Sequence, residues 1–136
     1  MNEESLEKMN SMRLSGMHTA FKACMESNRA NAFTNDELVH HLVVSEWDDR
    51  RHRALQRSLK NARFRYPANM EQIDYGSESG LDKNQLQRLS CCEFITKGQD
   101  LFITGSTGTG KSFLASALGH QACLLGYKVF YAGTAK

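Results

Sequence analysis

Gly105-Ser106-Thr107-Gly108-Thr109-Gly110-Lys111-Ser112 is the stretch of this chain whose residue types and spacing could do chemistry. The pattern Gly-x-x-x-x-Gly-Lys-Ser suits the phosphates of ATP or GTP. Wrapping an anion with inward-pointing amides takes backbone conformations that a β-carbon obstructs, and Gly105, Gly108 and Gly110 supply that freedom. Lys111 is placed to reach the β- and γ-phosphates, and the Ser112 hydroxyl is a ligand for nucleotide-bound Mg2+. A helix starting at the end of the motif adds the positive end of its dipole. The alternative is a chance match in a glycine-rich turn, and the flanking patterns argue against it.

Hydrolysis asks for more. It needs a carboxylate on a neighbouring strand to hold Mg2+ and position water, and an arginine to stabilise charge in the transition state. Residues 112–136 contain no Asp, Glu or Arg, and the nearest acids upstream, Glu93 and Asp100, precede the loop. The expectation is nucleotide binding without efficient turnover by this chain alone, so no catalytic residue is assigned.

The elements that must position the loop are legible on both sides of it. Leu101-Phe102-Ile103-Thr104 is an apolar run entering the motif, and Leu114, Ala117, Leu118, Ala122 and Leu125 follow it at helical spacing. Lys128-Val129-Phe130-Tyr131-Ala132 then has the β-branched and aromatic content of a strand. Together these predict strand, P-loop, helix, strand, with Gly126 closing the helix. A sheet of two strands is marginal in water and prone to association.

Upstream, Ser15-Gly16 separates Leu6 and Met9 from Met17, Ala20, Phe21, Cys24 and Met25, predicting two helices with Ser15 capping the second. Thr34-Asn35-Asp36-Glu37 reads as a capping box. The helix it opens meets no glycine or proline until Pro67, which disfavours helical geometry at Tyr66. Residues 68–81, with Gly76 and Gly80, read as a linker, and Asp82 caps a helix bearing Leu86 and Leu89. The expected fold class is α/β: a helical N-terminal domain over 1–67, a linker over 68–81, and a partial P-loop ATP-binding domain over 82–136.

The long helix carries a second candidate site. Arg50, Arg51, Arg53, Arg57, Lys60, Arg63 and Arg65 fall within sixteen residues that hold no acid, and removing them takes the net charge from +2 to −5. Arg50, Arg53, Arg57 and Lys60 recur at three- and four-residue spacing, which projects their charges from one side of a helix. Two readings fit: a solvated face paired to acids elsewhere, or a ridge that contacts DNA phosphates without reading sequence. Trp47 could be a binding-surface aromatic, but its register with Val39 and Val43 favours core packing. Ile73 and Tyr75 fit an adenine pocket or linker packing equally well.

Composition removes several classes. No apolar run approaches the roughly 20 residues of a membrane span, and Met1 to Asn10, with Glu3, Glu4 and Glu7, has no signal-peptide core, so a cytoplasmic location is the default expectation. Cys24, Cys91, Cys92 and Cys123 make no Cys-x-x-Cys pair, and the five histidines show no ligand spacing. Reduced thiols and no metal beyond nucleotide-bound Mg2+ are expected.

These residues also resemble a known family. Leu14-Ser15-Gly16-Met17, Glu46-Trp47 followed by the arginine-rich helix ending Ala62-Arg63-Phe64, Gly80-Leu81-Asp82, and the P-loop continuing through Phe113 to Cys123 and on to Gly126-Tyr127-Lys128-Val129 look like the first half of an IstB-like transposition helper ATPase. That family is a branch of AAA+ proteins close to the helicase loader DnaC. The resemblance implies a truncated AAA+ domain that binds ATP and Mg2+, contacts DNA, works with a transposase and, at full length, forms a homo-oligomer. It also implies that the acidic strand, the sensor residue and the arginine finger lie beyond Lys136. A helicase loader, or a non-enzymatic DNA- or protein-binding fragment, are the alternatives.

Overall fold

Helical periodicity dominates the sequence, and the computed structural model, which describes residues 1–76 and 80–133, is built from helices and turns. Residues 77–79, in the middle of the expected linker, and 134–136, at the end of the expected nucleotide domain, lie outside the described residues. In order the helices are α1 (Asn2–Ser11), α2 (Ser15–Glu26), α3 (Asn35–Ala62), α4 (Lys83–Ser90), α5 (Glu93–Thr96) and α6 (Lys111–Leu124). The chain divides into two compact units, Met1–Ala54 and Leu55–Lys136, so the division falls within α3.

In the first unit, α3 opens on the capping box read from the sequence. Glu37 N–H donates to Thr34 Oγ1 at 3.2 Å and Thr34 N–H donates to Glu37 Oε2 at 2.8 Å. The Thr34 backbone N–H, and after it the Thr34 hydroxyl, hold the Glu37 carboxyl below its usual range. The start of α2 differs from expectation. Its N-cap is Leu14, with no side-chain cap of its own, and the free amides of its first turn go to a distant carboxylate: Glu46 Oε2 on α3 accepts from Gly16 N–H at 2.8 Å and Met17 N–H at 3.1 Å. Gly16 is needed there, because a β-carbon on it would stand 2.7 Å from Glu46 Cα.

That bond sets the rotation of α3. Glu46 is turned inward, 6% exposed, and the stripe of Val39, Val43 and Trp47 is turned outward, with Trp47 63% exposed. The expectation of Trp47 in the core is therefore corrected. Leu38, Leu42 and Glu46, one residue out of phase with that stripe, form the more buried face.

In the second unit, Ala68, Ile73, Leu86 and Ala117 form a buried cluster, with Tyr66, Met70, Tyr75, Leu89, Phe113 and Leu114 packed against it. Residues 68–76, read as linker, thus contribute core side chains. Asn69 and Gln72 make a reciprocal capping box around the turn Met70–Gln72, and Asp82 Oδ1 accepts from Asn84 N–H at 2.9 Å to start α4. At the far end of α6, Gly126 N–H donates to Cys123 O and Tyr127 N–H to Ala122 O, both at 3.0 Å, with Gly126 at φ +91. That is a Schellman closure at the glycine predicted to provide it.

The α/β fold class is corrected. Among the described residues there is no β-strand, and the strand, P-loop, helix, strand unit is present only as loop, helix and extended flanks. A strand exists only by pairing its N–H and C=O groups with a neighbour. Residues 101–104 and 128–132 do not pair with each other, and Tyr131 N–H donates instead to Ala62 O at the end of α3, at 2.7 Å. Phe102 and Phe130, 84% and 66% exposed, show apolar side chains that no second sheet layer covers. β-propensity located both segments, but it carries no information on what they pair with.

Candidate nucleotide site

The residues of the glycine-rich motif lie at the start of α6, which begins inside the motif. Gly110 is its N-cap at φ +86, and Gly108 stands at φ +79, both in the left-handed region where a β-carbon is strained. Thr109 Oγ1 donates to Ser106 O at 2.7 Å and pins the loop across its base. No side chain accepts from the first turn of α6 and no acid lies in it. Its amides and the positive end of its dipole therefore face outward without a competing carboxylate.

Lys111 is half-buried, and its ammonium donates to Gly105 O at 2.8 Å and Ser106 O at 2.6 Å. Taking up a phosphate at the loop means exchanging those two neutral carbonyls for anionic phosphate oxygens, a swap of equal hydrogen-bond number that gains an ion pair. Ser112 follows, exposed and adjacent to the lysine.

Two cavities flank the loop. One, of about 250 Å³, is bordered by Leu81, Ile103 and Leu114 together with Gly80, Thr109 and Lys111. The other, of about 450 Å³, is bordered by Tyr66, Thr107, Gly108, Gly110, Lys111 and Ser112. Lys111 borders both; Leu81, Ile103 and Leu114 belong to the first alone, and Tyr66, Thr107 and Ser112 to the second alone. An uncapped helix start, two left-handed glycines, a lysine and a serine hydroxyl form the donor set that a magnesium nucleotide requires, so the residues present fit that group.

Tyr66, Ile103 and Leu114 join the site only in three dimensions. Tyr66 precedes the motif by some forty residues and no spacing rule connects them. Ile73 and Tyr75 line neither cavity: Ile73 is buried in the core cluster, and Tyr75 packs on that cluster with Lys83 Nζ 5.8 Å from its ring centre. Among the described residues no group of His, Cys, Asp and Glu could hold a metal ion, and no helix is long and apolar enough to cross a membrane. The cysteines are free thiols, and burial pushes those of Cys92 and Cys123 up, with the neighbouring Cys91 adding to the effect at Cys92.

The cations of α3 fall into two groups. Arg50 Nε donates to Glu46 Oε1 at 2.7 Å, and Arg53 Nη2 lies 2.9 Å from Asp49 Oδ2 and 3.7 Å from Glu46 Oε1. Burial pushes the Glu46 carboxyl up, but the Arg50 hydrogen bond, the Met17 and Gly16 amides and the Arg50 charge outweigh it and hold the group below its usual range. Arg57 and Lys60 are exposed and enter no ion pair among the described residues.

Residues 7–136 match the family of IstB-like ATP binding proteins. The chain is 37% identical over 127 residues to the insertion-sequence ATP-binding protein y4pL of Sinorhizobium fredii, covering 93% of this chain and 52% of that one. It is 32% identical over 135 residues to the ATP-binding protein of insertion sequence IS1162 from Pseudomonas fluorescens, covering 98% and 58%. Against the ATP-binding protein of insertion sequence IS21 from Pseudomonas aeruginosa it is 31% identical over 95 residues, covering 70% and 36%. The chain thus spans about half the length of the first two relatives.

Proposed function

The chain belongs to the IstB-like ATP-binding proteins, and from that premise we propose that it binds MgATP at residues 105–112 as the nucleotide-binding part of a helper of DNA transposition. The observation that carries this reading is the uncapped start of α6 beside Lys111, with Gly108 and Gly110 held in left-handed conformations. Gly105 to Lys111 would cradle the phosphates, and Ser112 would hold Mg2+, which supplies charge neutralisation between the β- and γ-phosphates when bound. The cavity bordered by Leu81, Ile103 and Leu114 suits the nucleoside, since apolar side chains there bury a base without needing its polar edge.

Binding and turnover are separate matters in this chain. Residues 112–136 carry no carboxylate or arginine to position water or stabilise the transition state, so the proposal is nucleotide binding without efficient hydrolysis by these residues alone. A transposase encoded by the same kind of element is the partner this role calls for. DNA contact by α3 is part of the reading, with exposed Arg57 and Lys60 better placed for phosphates than Arg50 and Arg53, which already hold acids.

Thermal unfolding with increasing MgATP tests the nucleotide role. A ligand at free concentration L that binds only the folded chain stabilises it by RT ln(1 + L/Kd), about 2.7 kcal/mol at one hundred times Kd, so the midpoint keeps rising as MgATP is added. A rise that Lys111→Ala abolishes supports the reading, and midpoints that ignore MgATP in both proteins would remove it.

A further inference from the structure

The P-loop sits between two cavities of different chemistry, and the larger one has a wall the motif does not supply. Tyr66 borders it together with Thr107, Gly108, Lys111 and Ser112. The ring is not adrift: it lies parallel to Phe113, at 14° with centroids 6.4 Å apart, and Phe113 is the residue directly after Ser112 in the first turn of α6. Behind it, Ala68 is buried in the core cluster and Tyr66 packs against that same cluster. Backbone and ring are thus both fixed to the element that carries the phosphate-binding amides.

We infer that Tyr66 is a specificity-determining residue for the terminal phosphate, its phenol donating to a γ-phosphate oxygen of a nucleoside triphosphate. The inference rests on the nucleotide-binding reading above. Its chemistry follows from which residues share the cavity. Ser112, the hydroxyl suited to Mg2+, borders this cavity only, Lys111 borders both, and the apolar side chains Leu81, Ile103 and Leu114 border only the other. A nucleotide whose base enters the apolar side therefore directs its phosphate end toward Tyr66. A phenol there is a neutral donor to an anion, able to distinguish a triphosphate from a diphosphate because a diphosphate has no group at that position.

The experiment is calorimetric titration of ATP and of ADP, each with Mg2+, into the whole chain, its Tyr66→Phe variant and its Lys111→Ala variant. Tyr66→Phe keeps the ring on Phe113 and removes only the hydroxyl. The expected result is ATP affinity weakened about tenfold, as for loss of one hydrogen bond to a charged group, with ADP affinity changed less than about twofold. Lys111→Ala should weaken both nucleotides. If the wild-type chain binds and Tyr66→Phe shifts the two equally, shifts neither, or weakens ADP more, the assignment of Tyr66 is overturned and the nucleotide site stands. If the wild-type chain binds neither nucleotide, the site reading itself falls and takes this inference with it.

Discussion

Glu46 Oε2 accepts the N–H of Gly16 at 2.8 Å across thirty residues of sequence, so the start of α2 is capped by a carboxylate on α3. Met17 N–H joins it at 3.1 Å, and Arg50 holds the other oxygen. One acid thereby satisfies two helix-start amides and anchors two helices of the first unit. Glu46→Ala should cost about 2 kcal/mol in thermal or urea unfolding, the sum expected from a lost cap and a lost charged hydrogen bond. A change within error would mean that the packing of α2, not this carboxylate, fixes the first unit.

The same group gives that unit an acid dependence with a definite sign. Its folded pKa is lowered, burial acting upward and Arg50 with the Met17 and Gly16 amides acting downward more strongly. Its contribution is therefore fully present above the ordinary carboxylate value of 4.5 and is lost as pH falls through the lower folded value. The stability gap between wild type and Glu46→Ala should be constant from neutral pH down to about that value and close below it. A gap that widens in acid would contradict the assignment.

Trp47 reports on the rotation of α3 directly, being the sole tryptophan of the chain. With 63% of its surface exposed, its fluorescence should be quenched readily by acrylamide in the native state, and Trp47→Ala should change stability by no more than about 0.5 kcal/mol. A buried tryptophan would resist quenching and cost about 3–5 kcal/mol on truncation.

For DNA contact by α3, binding should be sequence-tolerant and weaken steeply with salt. Arg57→Ala and Lys60→Ala should each lower the slope of log affinity against log salt by about one, because each removes one phosphate contact. Arg50→Ala and Arg53→Ala should change it less, their guanidinium groups being engaged by Glu46 and Asp49. Salt-independent binding would eliminate the phosphate-contact reading.

What the sequence disclosed follows the range of the interactions involved. The Thr34–Glu37 box, the Asp82 cap and the Gly126 closure depend on residues a few positions apart, and each forms as read. The P-loop glycines are legible for the same reason. Local rules offer only a local acceptor, Ser15, for the start of α2, whereas the Glu46 carboxylate arrives from another helix. Periodicity cannot place Trp47, because Val39, Val43 and Trp47 and the face of Leu38, Leu42 and Glu46 are both in helical register, and only the buried carboxylate chooses between them. The strands failed because pairing is a property of two segments, and neither residues 101–104 nor 128–132 meets a partner ladder. Tyr66 reaches the site through its stack on Phe113, a contact no spacing rule contains.

The central claim is tested most directly by calorimetric titration of MgATP into the chain beside Lys111→Ala, with phosphate release followed in the same samples. Binding by the wild-type chain is expected, with at least tenfold weaker binding by Lys111→Ala and no appreciable phosphate release by either. Equal affinities, or no heat from either protein, would contradict a functional phosphate site at residues 105–112.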